Sequence, residues 1–299
     1  MDTCHKIDTL CGLFGKSRQA YYQQINYNYN EVVKSEILLQ LIAKERKMMP
    51  RIGGRKLLYK MHPHLPEDLQ IGRDKFFDFL REHGLLVRRR RYRPRTTMSS
   101  HWLRKYPNLI REFVATRPNQ LWVSDITYVE TSQGFAYLFL ITDAYSRKII
   151  GWAVSKTLEA SNALVALYMA ISQLPAGVTN VIHHSDRGVQ YCSNKYVKIL
   201  NKYDFQISMT ENGDPLENAI AERVNGILKD EWINEMKLKS KKDAIIQIRR
   251  IIEIYNTQRP HSSLEMLTPE QAHIHTGELK RHWKNYWKKT ELNITEKNH

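Results

Sequence analysis

Apolar residues along the chain follow two different periods, and the change between them divides the sequence. Up to about residue 87 they recur at helical spacing. In IDTLCGLFGKSRQAYYQ, Gly15 breaks the run and Ser17 can cap a second helix. EVVKSEILLQLIAKERKMM reads as an amphipathic helix, followed by a turn at Gly53–Gly54 and a short helix in GGRKLLYKMH that the prolines of HPHLP stop. IGRDKFFDFLREHGL is a further helix, with Phe76, Phe77, Leu80 and Leu85 on its apolar side and Gly84 at its end.

From Asn119 the pattern turns β-rich. LWVSDITYVE (121–130), GFAYLFLITDAYS (134–146) and KIIGWAVS (148–155) predict three strands, and their short separations make them antiparallel. EASNALVALYMAISQL (159–174) predicts a helix, NVIHHSDRG (180–188) a strand running into a loop, and SNKYVKILNKYDF a helix capped by Ser193. QISMT gives a short strand, LENAIAERVNGILKDEWINEM (216–236) a long helix, and KKDAIIQIRRIIEIYNTQ another. Three strands, helix, strand, helix, strand, helix is the order of an α/β fold of the ribonuclease-H-like type, a mixed sheet flanked by helices. The expected units are 1–43 (helical), 44–87 (basic, helix-turn-helix-like), 88–117 (basic linker), 118–236 (catalytic core) and 237–299 (helical and basic tail).

Charge sharpens that division. The net charge is +15, and nearly all of it lies in residues 44–117, with 20 basic against 7 acidic groups, while residues 118–229 carry 9 against 10. A polyanion-binding module joined to a near-neutral domain fits this asymmetry better than a uniformly solvated surface. RRRRYRPR (Arg88–Arg95) is read as a linker that tracks a nucleic-acid backbone, affinity without sequence information, through Arg88, Arg89, Arg90, Arg91, Arg93 and Arg95. No stretch reaches the roughly 18 apolar residues of a membrane span, and MDTCHKIDTL lacks the pattern of a secretory signal. The expected compartment is therefore the cytosol, with no membrane partner. Cys4, Cys11 and Cys192 form no CxxC pair and read as reduced thiols rather than zinc ligands.

Three acidic residues stand out. Asp125 interrupts a strand of apolar neighbours, where an ionised carboxylate is costly unless paired or bound to a cation. Asp186 ends a strand in HHSDRG, where Gly188 lets the chain turn. On the long helix, at about 100° per residue, Asn218, Glu222, Asn225 and Lys229 share one side, opposite Ile220, Val224, Ile227 and Leu228. Singly, each has an ordinary structural explanation. Brought together, two Asp and one Glu repel one another unless divalent cations offset the charge. Hard oxygen donors suit Mg2+, with Mn2+ as a substitute, and two such ions are the arrangement suited to in-line displacement at phosphorus. His183 and His184 read as packed or hydrogen-bonded histidines, and Asp143 as a loop-fixing acid.

With these residues in view, the sequence resembles the DDE transposases and retroviral integrases, and specifically the OrfB transposases of the insertion-sequence-three family. The resemblance rests on LWVSDITYVE around Asp125, HHSDRGVQY around Asp186, and ENAIAERVNGILKDE around Glu222 with Lys229 seven residues on. SRKIIGW (146–152) and YNTQRPHSSLEMLTPEQA (255–272) add to it, and it spans about residues 5 to 275. It implies metal-dependent cleavage and strand transfer at the ends of an insertion sequence, with Asp125, Asp186 and Glu222 as catalytic metal-binding carboxylates and Lys229 on substrate phosphate. It implies DNA partners (terminal inverted repeats and target), a homo-oligomer on DNA, and an upstream-frame DNA-binding protein as candidate partner or fusion. Glu217 stands where the family usually has Asp, and the amino-terminal His-His-Cys-Cys zinc pattern of retroviral integrases is missing, so no zinc is expected.

Overall fold

The computed structural model describes residues 7–88, 101–211, 218–277 and 279. Arg89, Arg90, Arg91, Arg93, Arg95, Cys4 and the basic-aromatic carboxyl end lie outside the described residues.

A five-stranded mixed sheet of order β3-β2-β1-β4-β5 forms the centre. β1 (Leu121–Thr131), β2 (Gly134–Asp143) and β3 (Ile149–Ser155) make the expected antiparallel meander. β4 (Ile182–Ser185) and β5 (Gln206–Met209) extend it in parallel beyond β1. Two parallel strands added beside a meander need crossovers. Helix α5 (Ala160–Ile171) lies in the first, and α6 (Val189–Cys192) and α7 (Asn194–Lys202) in the second. This is the ribonuclease-H-like order that the sequence predicts.

Alternation along β2 separates the two faces. Phe139 and Ile141 join Trp122, Ala163, Ala166 and Leu167 in a core under α5 and α7. Leu138 and Leu140 face the other way, into a core with α8 (Ala219–Glu231) and α9 (Lys241–Thr257). A Cβ at Gly151 would lie 2.2 Å from the Ala166 carbonyl oxygen, so α5 packs onto β3 at a distance only glycine permits. The sheet margins are occupied at defined points. The Met209 amide donates to the Pro107 carbonyl and the Leu109 amide to Ser208 Oγ, which lays the stretch before the core along β5. On the far margin Asn256 closes a two-bond ring with the backbone of Ile149.

The amino-terminal helices differ from expectation in one respect. After α1 (Ile7–Leu13), a single 31-residue helix α2 runs from Arg18 to Met48, where the sequence suggests two, and residues 43 and 44 both lie inside it. Ser17 caps it as expected, accepting from the Ala20 amide. No Gly or Pro occurs between Arg18 and Met48, so nothing interrupts the hydrogen-bond ladder even where the apolar periodicity fails. Helices α3 (Gly54–Met61) and α4 (Arg73–Glu82) follow, joined by two 3-10 turns.

These helices share one continuous core with the sheet. Leu38, Ile42, Leu57, Phe76 and Leu80 cluster with Trp232, Ile251 and Tyr255. Buried Trp232 donates its indole N–H to the Met48 carbonyl at 2.7 Å. Arg259, only 1% exposed, grips Glu231 through Nε and Nη2 at 2.7 and 2.5 Å. Lys56 of α3 stands 3.8 Å from the same carboxylate. Among the described residues, no helix is long and apolar enough to cross a membrane.

Candidate active site

The register between β1 and β4 sets two of the three acids side by side. Val123 pairs with His184 in the parallel ladder. Continuing it two residues brings Asp125 level with Asp186, just past the end of β4. On the antiparallel side Asp125 pairs with Leu140, whose side chain lies in the core facing α8 and α9. The Asp125 carboxylate therefore projects from the face that α8 covers.

Helix α8 is tied to β1 at two points flanking Glu222. Asn225, one turn after it, donates its amide to Asp125 Oδ2 at 2.7 Å. Asn218, one turn before it, donates to the Ser124 carbonyl at 3.2 Å. Both asparagines are buried while Glu222 itself is exposed. Three residues at helical spacing thus share one stripe, the outer two anchored to consecutive residues of β1 and the acid between them.

Asp186 sits in a tight turn, where Gly188 donates its amide to Asp186 Oδ1 at 3.0 Å. The sequence suggests Gly188 for its freedom to turn. Its φ is an ordinary −65°, and what the position requires is space, since a Cβ there would meet Asp186 Oδ1 at 3.0 Å and Gln190 Oε1 at 2.9 Å.

The electrostatics follow from this placement. Burial, then the neighbouring Asp186, pushes the Asp125 carboxyl up to about 7, against the opposing hydrogen bonds from Asn225 and the Ile126 amide; Glu222 adds a smaller upward push. Glu222 is also raised, by burial first and then by Asp186. Mutual repulsion of this kind is what acids sharing a site experience. Among the described residues, no three His, Cys, Asp or Glu side chains are gathered as a ready-made metal cage. The three carboxylates are electrostatic neighbours without being chelating ones.

Around them the packing is polar and closed. His183, held neutral by burial with its pKa near 3, shares hydrogen bonds with Ser124 Oγ and the Tyr196 hydroxyl. His184 Nδ1 pairs with Ser208 Oγ. Asp143 is fully buried and accepts from the Asn119 amide and from the Ser146 amide and hydroxyl, the loop-fixing role its neighbours suggest. Lys229 lies half-buried on α8 two turns beyond Glu222. Arg88 is exposed past α4, its carbonyl accepting from Arg51. The anchoring role of Asn225 and Asn218 escapes sequence reasoning, although their spacing from Glu222 is visible there.

Comparisons with known proteins identify the family of the core. A family model described as integrase core domain matches residues 115–215, and a second of the same description matches residues 203–269. The 31 kDa protein of insertion element IS600 from Shigella sonnei is 35% identical over 266 residues, 87% of this chain and 96% of that protein. The transposase for insertion sequence element IS629, also from Shigella sonnei, is 34% identical over 209 residues, 70% of each chain. Transposase InsF for insertion sequence IS3A of Escherichia coli K12 is 37% identical over 194 residues, 64% of this chain and 67% of that one.

The chain belongs to the IS3 family of transposases. Its integrase core is the five-stranded sheet with its flanking helices, and the amino-terminal helical region packs directly on the ends of α8 and α9. In this transposase the helix carrying Glu222 is fastened at both ends: to β1 through Asn218 and Asn225, and to α2 and the Arg259 segment through Trp232 and Glu231.

Proposed function

We propose that Asp125, Asp186 and Glu222 form a divalent-cation site at which this transposase cleaves DNA at the ends of its element and joins the freed 3′ hydroxyl to another phosphodiester. The observation that carries this reading is the convergence of three acids from β1, the end of β4 and α8, whose charges add to burial in raising the Asp125 carboxyl to about 7. A half-buried carboxyl of that kind, repelled by two others, is a group whose ionised form needs a cation. The donors are all carboxylate oxygens, which suits Mg2+ or Mn2+, and a pair of such ions is the arrangement suited to in-line displacement at phosphorus.

When bound, such cations activate the attacking oxygen and stabilise the leaving oxygen of an in-line displacement. Asn225 keeps Asp125 turned toward α8, and the anchored helix holds Glu222 over the same stretch of β1. Glu222 is exposed on that helix, on the side that faces solvent near the two aspartates. Lys229, half-buried on the same helix, is proposed to contact substrate phosphate, and the arginines Arg88, Arg89, Arg90, Arg91, Arg93 and Arg95 to supply backbone affinity. The element's terminal repeats and target are the DNA partners, bound by more than one copy of the chain.

Labelled element-end duplex incubated with Mg2+ tests the reading. Joined products are expected from the wild type, and Asp125→Asn, Asp186→Asn and Glu222→Gln should each lower joining at least about a thousandfold while DNA binding survives. Joining at the wild-type rate in any of the three overturns the assignment. Hydrolysed fragments without joined products identify a nuclease instead.

A further inference from the structure

We propose that a cleft between α3 and the loop after α9 takes an unstacked nucleotide of a DNA strand. This rests on the reading of the chain as a DNA-acting enzyme, but uses a surface separate from the carboxylates.

The cleft encloses about 550 Å³ and is lined by Arg55, Leu58, Tyr59, His62, Arg73 and Met266, among others. That volume lies within the roughly 300–1,000 Å³ range of ligand pockets. Among the described residues no acidic side chain lines it. Its lining combines cationic with apolar side chains, and Tyr59 is 50% exposed.

The cations of α3 divide by pairing. Lys56 is paired with Glu231 at 3.8 Å, and Lys60, which also lines the cleft, with Glu45 at 3.1 Å. Arg55 is exposed and, among the described residues, has no ion-pair partner. Arg73 pairs with its neighbour Asp74, but both side chains are largely solvated, and such a pair yields readily to a phosphate.

The opposite wall is built at a conformational cost. Glu265 and Met266 have φ of 55° and 66°, two consecutive non-glycine residues in the left-handed region. Backbone bonds from the Met266 amide to the His261 carbonyl and from the Leu267 amide to the Leu264 carbonyl hold them there. Strain of this kind persists where surrounding structure enforces it, and here it delivers the Met266 side chain to the cleft wall.

Phosphate recognition alone calls for cations on a polar surface. Apolar side chains beside an exposed aromatic ring add a place for a flat, largely apolar ring system, and a nucleotide joins that ring to an anion. A base stacked in a duplex has its faces covered by its neighbours, so the occupant is an unpaired or frayed nucleotide.

The test uses the full chain carrying Asp125→Asn, without divalent cations, and two short duplexes. One is fully paired; the other ends in an unpaired 2-aminopurine nucleotide. The overhang duplex should bind about tenfold more tightly, with 2-aminopurine emission quenched on binding. Tyr59→Ala should remove both the preference and the quenching, and Tyr59→Phe should keep them. Arg55→Ala should weaken binding of the overhang duplex and lower the salt dependence by about one counterion. Equal affinity for the two duplexes, or Tyr59→Ala and Arg55→Ala behaving like their parent, overturns the proposal. So does an acidic phosphopeptide that competes with the overhang duplex and binds the Tyr59→Ala variant less tightly than its parent, when the overhang duplex binds both equally. Joining by the wild type is measured separately: if it proceeds while the preference is missing, this inference alone falls; if the preference stands without joining, the proposed function falls.

Discussion

Asn225 and Asp125 stand 100 residues apart in the chain and are joined by a 2.7 Å hydrogen bond from amide to carboxylate. The bond crosses from α8 to β1, so the helix that presents Glu222 also restrains Asp125. Replacing Asn225 by Ala should leave a half-buried carboxylate short of a donor, at a cost of about 1–3 kcal/mol of stability. Joining should fall about ten- to a hundredfold with DNA affinity unchanged. Urea unfolding and single-turnover joining measure the two effects, and unchanged joining would mean that the bond does not position Asp125.

The raised Asp125 carboxyl makes the cation-free protein sensitive to pH in a defined direction. In the fold this group holds its proton up to about 7, against an ordinary value of 3.8. Over that interval the native state binds more protons than the unfolded chain, so stability declines as pH rises from about 4 to about 7 and then levels off. Glu222, shifted the same way, adds to the decline. Asp125→Asn should abolish much of it, raising the melting temperature at pH 8 by about 2–4 °C per kcal/mol recovered. Adding Mg2+ should raise the wild type more than the variant. A melting temperature that climbs between pH 4 and 7 without cation contradicts this picture.

Arg259 and Glu231 form a charge pair that is nearly closed to solvent. His261 Nε2 shares a hydrogen bond with the guanidinium at 2.9 Å, and burial and the adjacent Arg259 keep that imidazole neutral. Arg259→Met should cost about 3–5 kcal/mol, because it breaks a nearly closed pair and leaves Glu231 only Lys56 at 3.8 Å. The double variant Arg259→Met with Glu231→Met should cost clearly less. A double-mutant cycle by chemical denaturation decides it, and additive losses would show that the two charges are not energetically coupled.

Gly151→Ala probes the seat of α5 on β3. The added methyl group would meet the Ala166 carbonyl oxygen and the Ala170 methyl group. Overpacking of this kind costs about 1–3 kcal/mol, expected as an earlier urea midpoint with the denaturant slope unchanged. A neutral effect would mean that α5 slides outward without penalty.

Much of the core was legible because its signals are local. The strands announce themselves by alternation and by the short turns between them, and the three acids by sitting where apolar or turn-forming residues belong. The continuity of α2 was not legible: its Tyr- and Asn-rich first half lacks an apolar stripe, and only the absence of a breaker keeps it helical. Pairings between distant elements were also hidden. Asn225 could be placed on the Glu222 side of its helix, but a helical wheel shows a face and never its partner. The same limit hid Lys56 beneath Glu231, since a basic segment looks equally suited to solvent, to nucleic acid or to an internal acid.

The occupied margins of the sheet bear on how copies of this chain can crowd together. Pro107 takes the Met209 amide on one side, and Asn256 takes both backbone groups of Ile149 on the other. At those positions no ladder is left open for a neighbour to zip onto. If copies of this chain gather on DNA as proposed, those margins leave helices and the nucleic acid, rather than strand-to-strand pairing, to make the contacts.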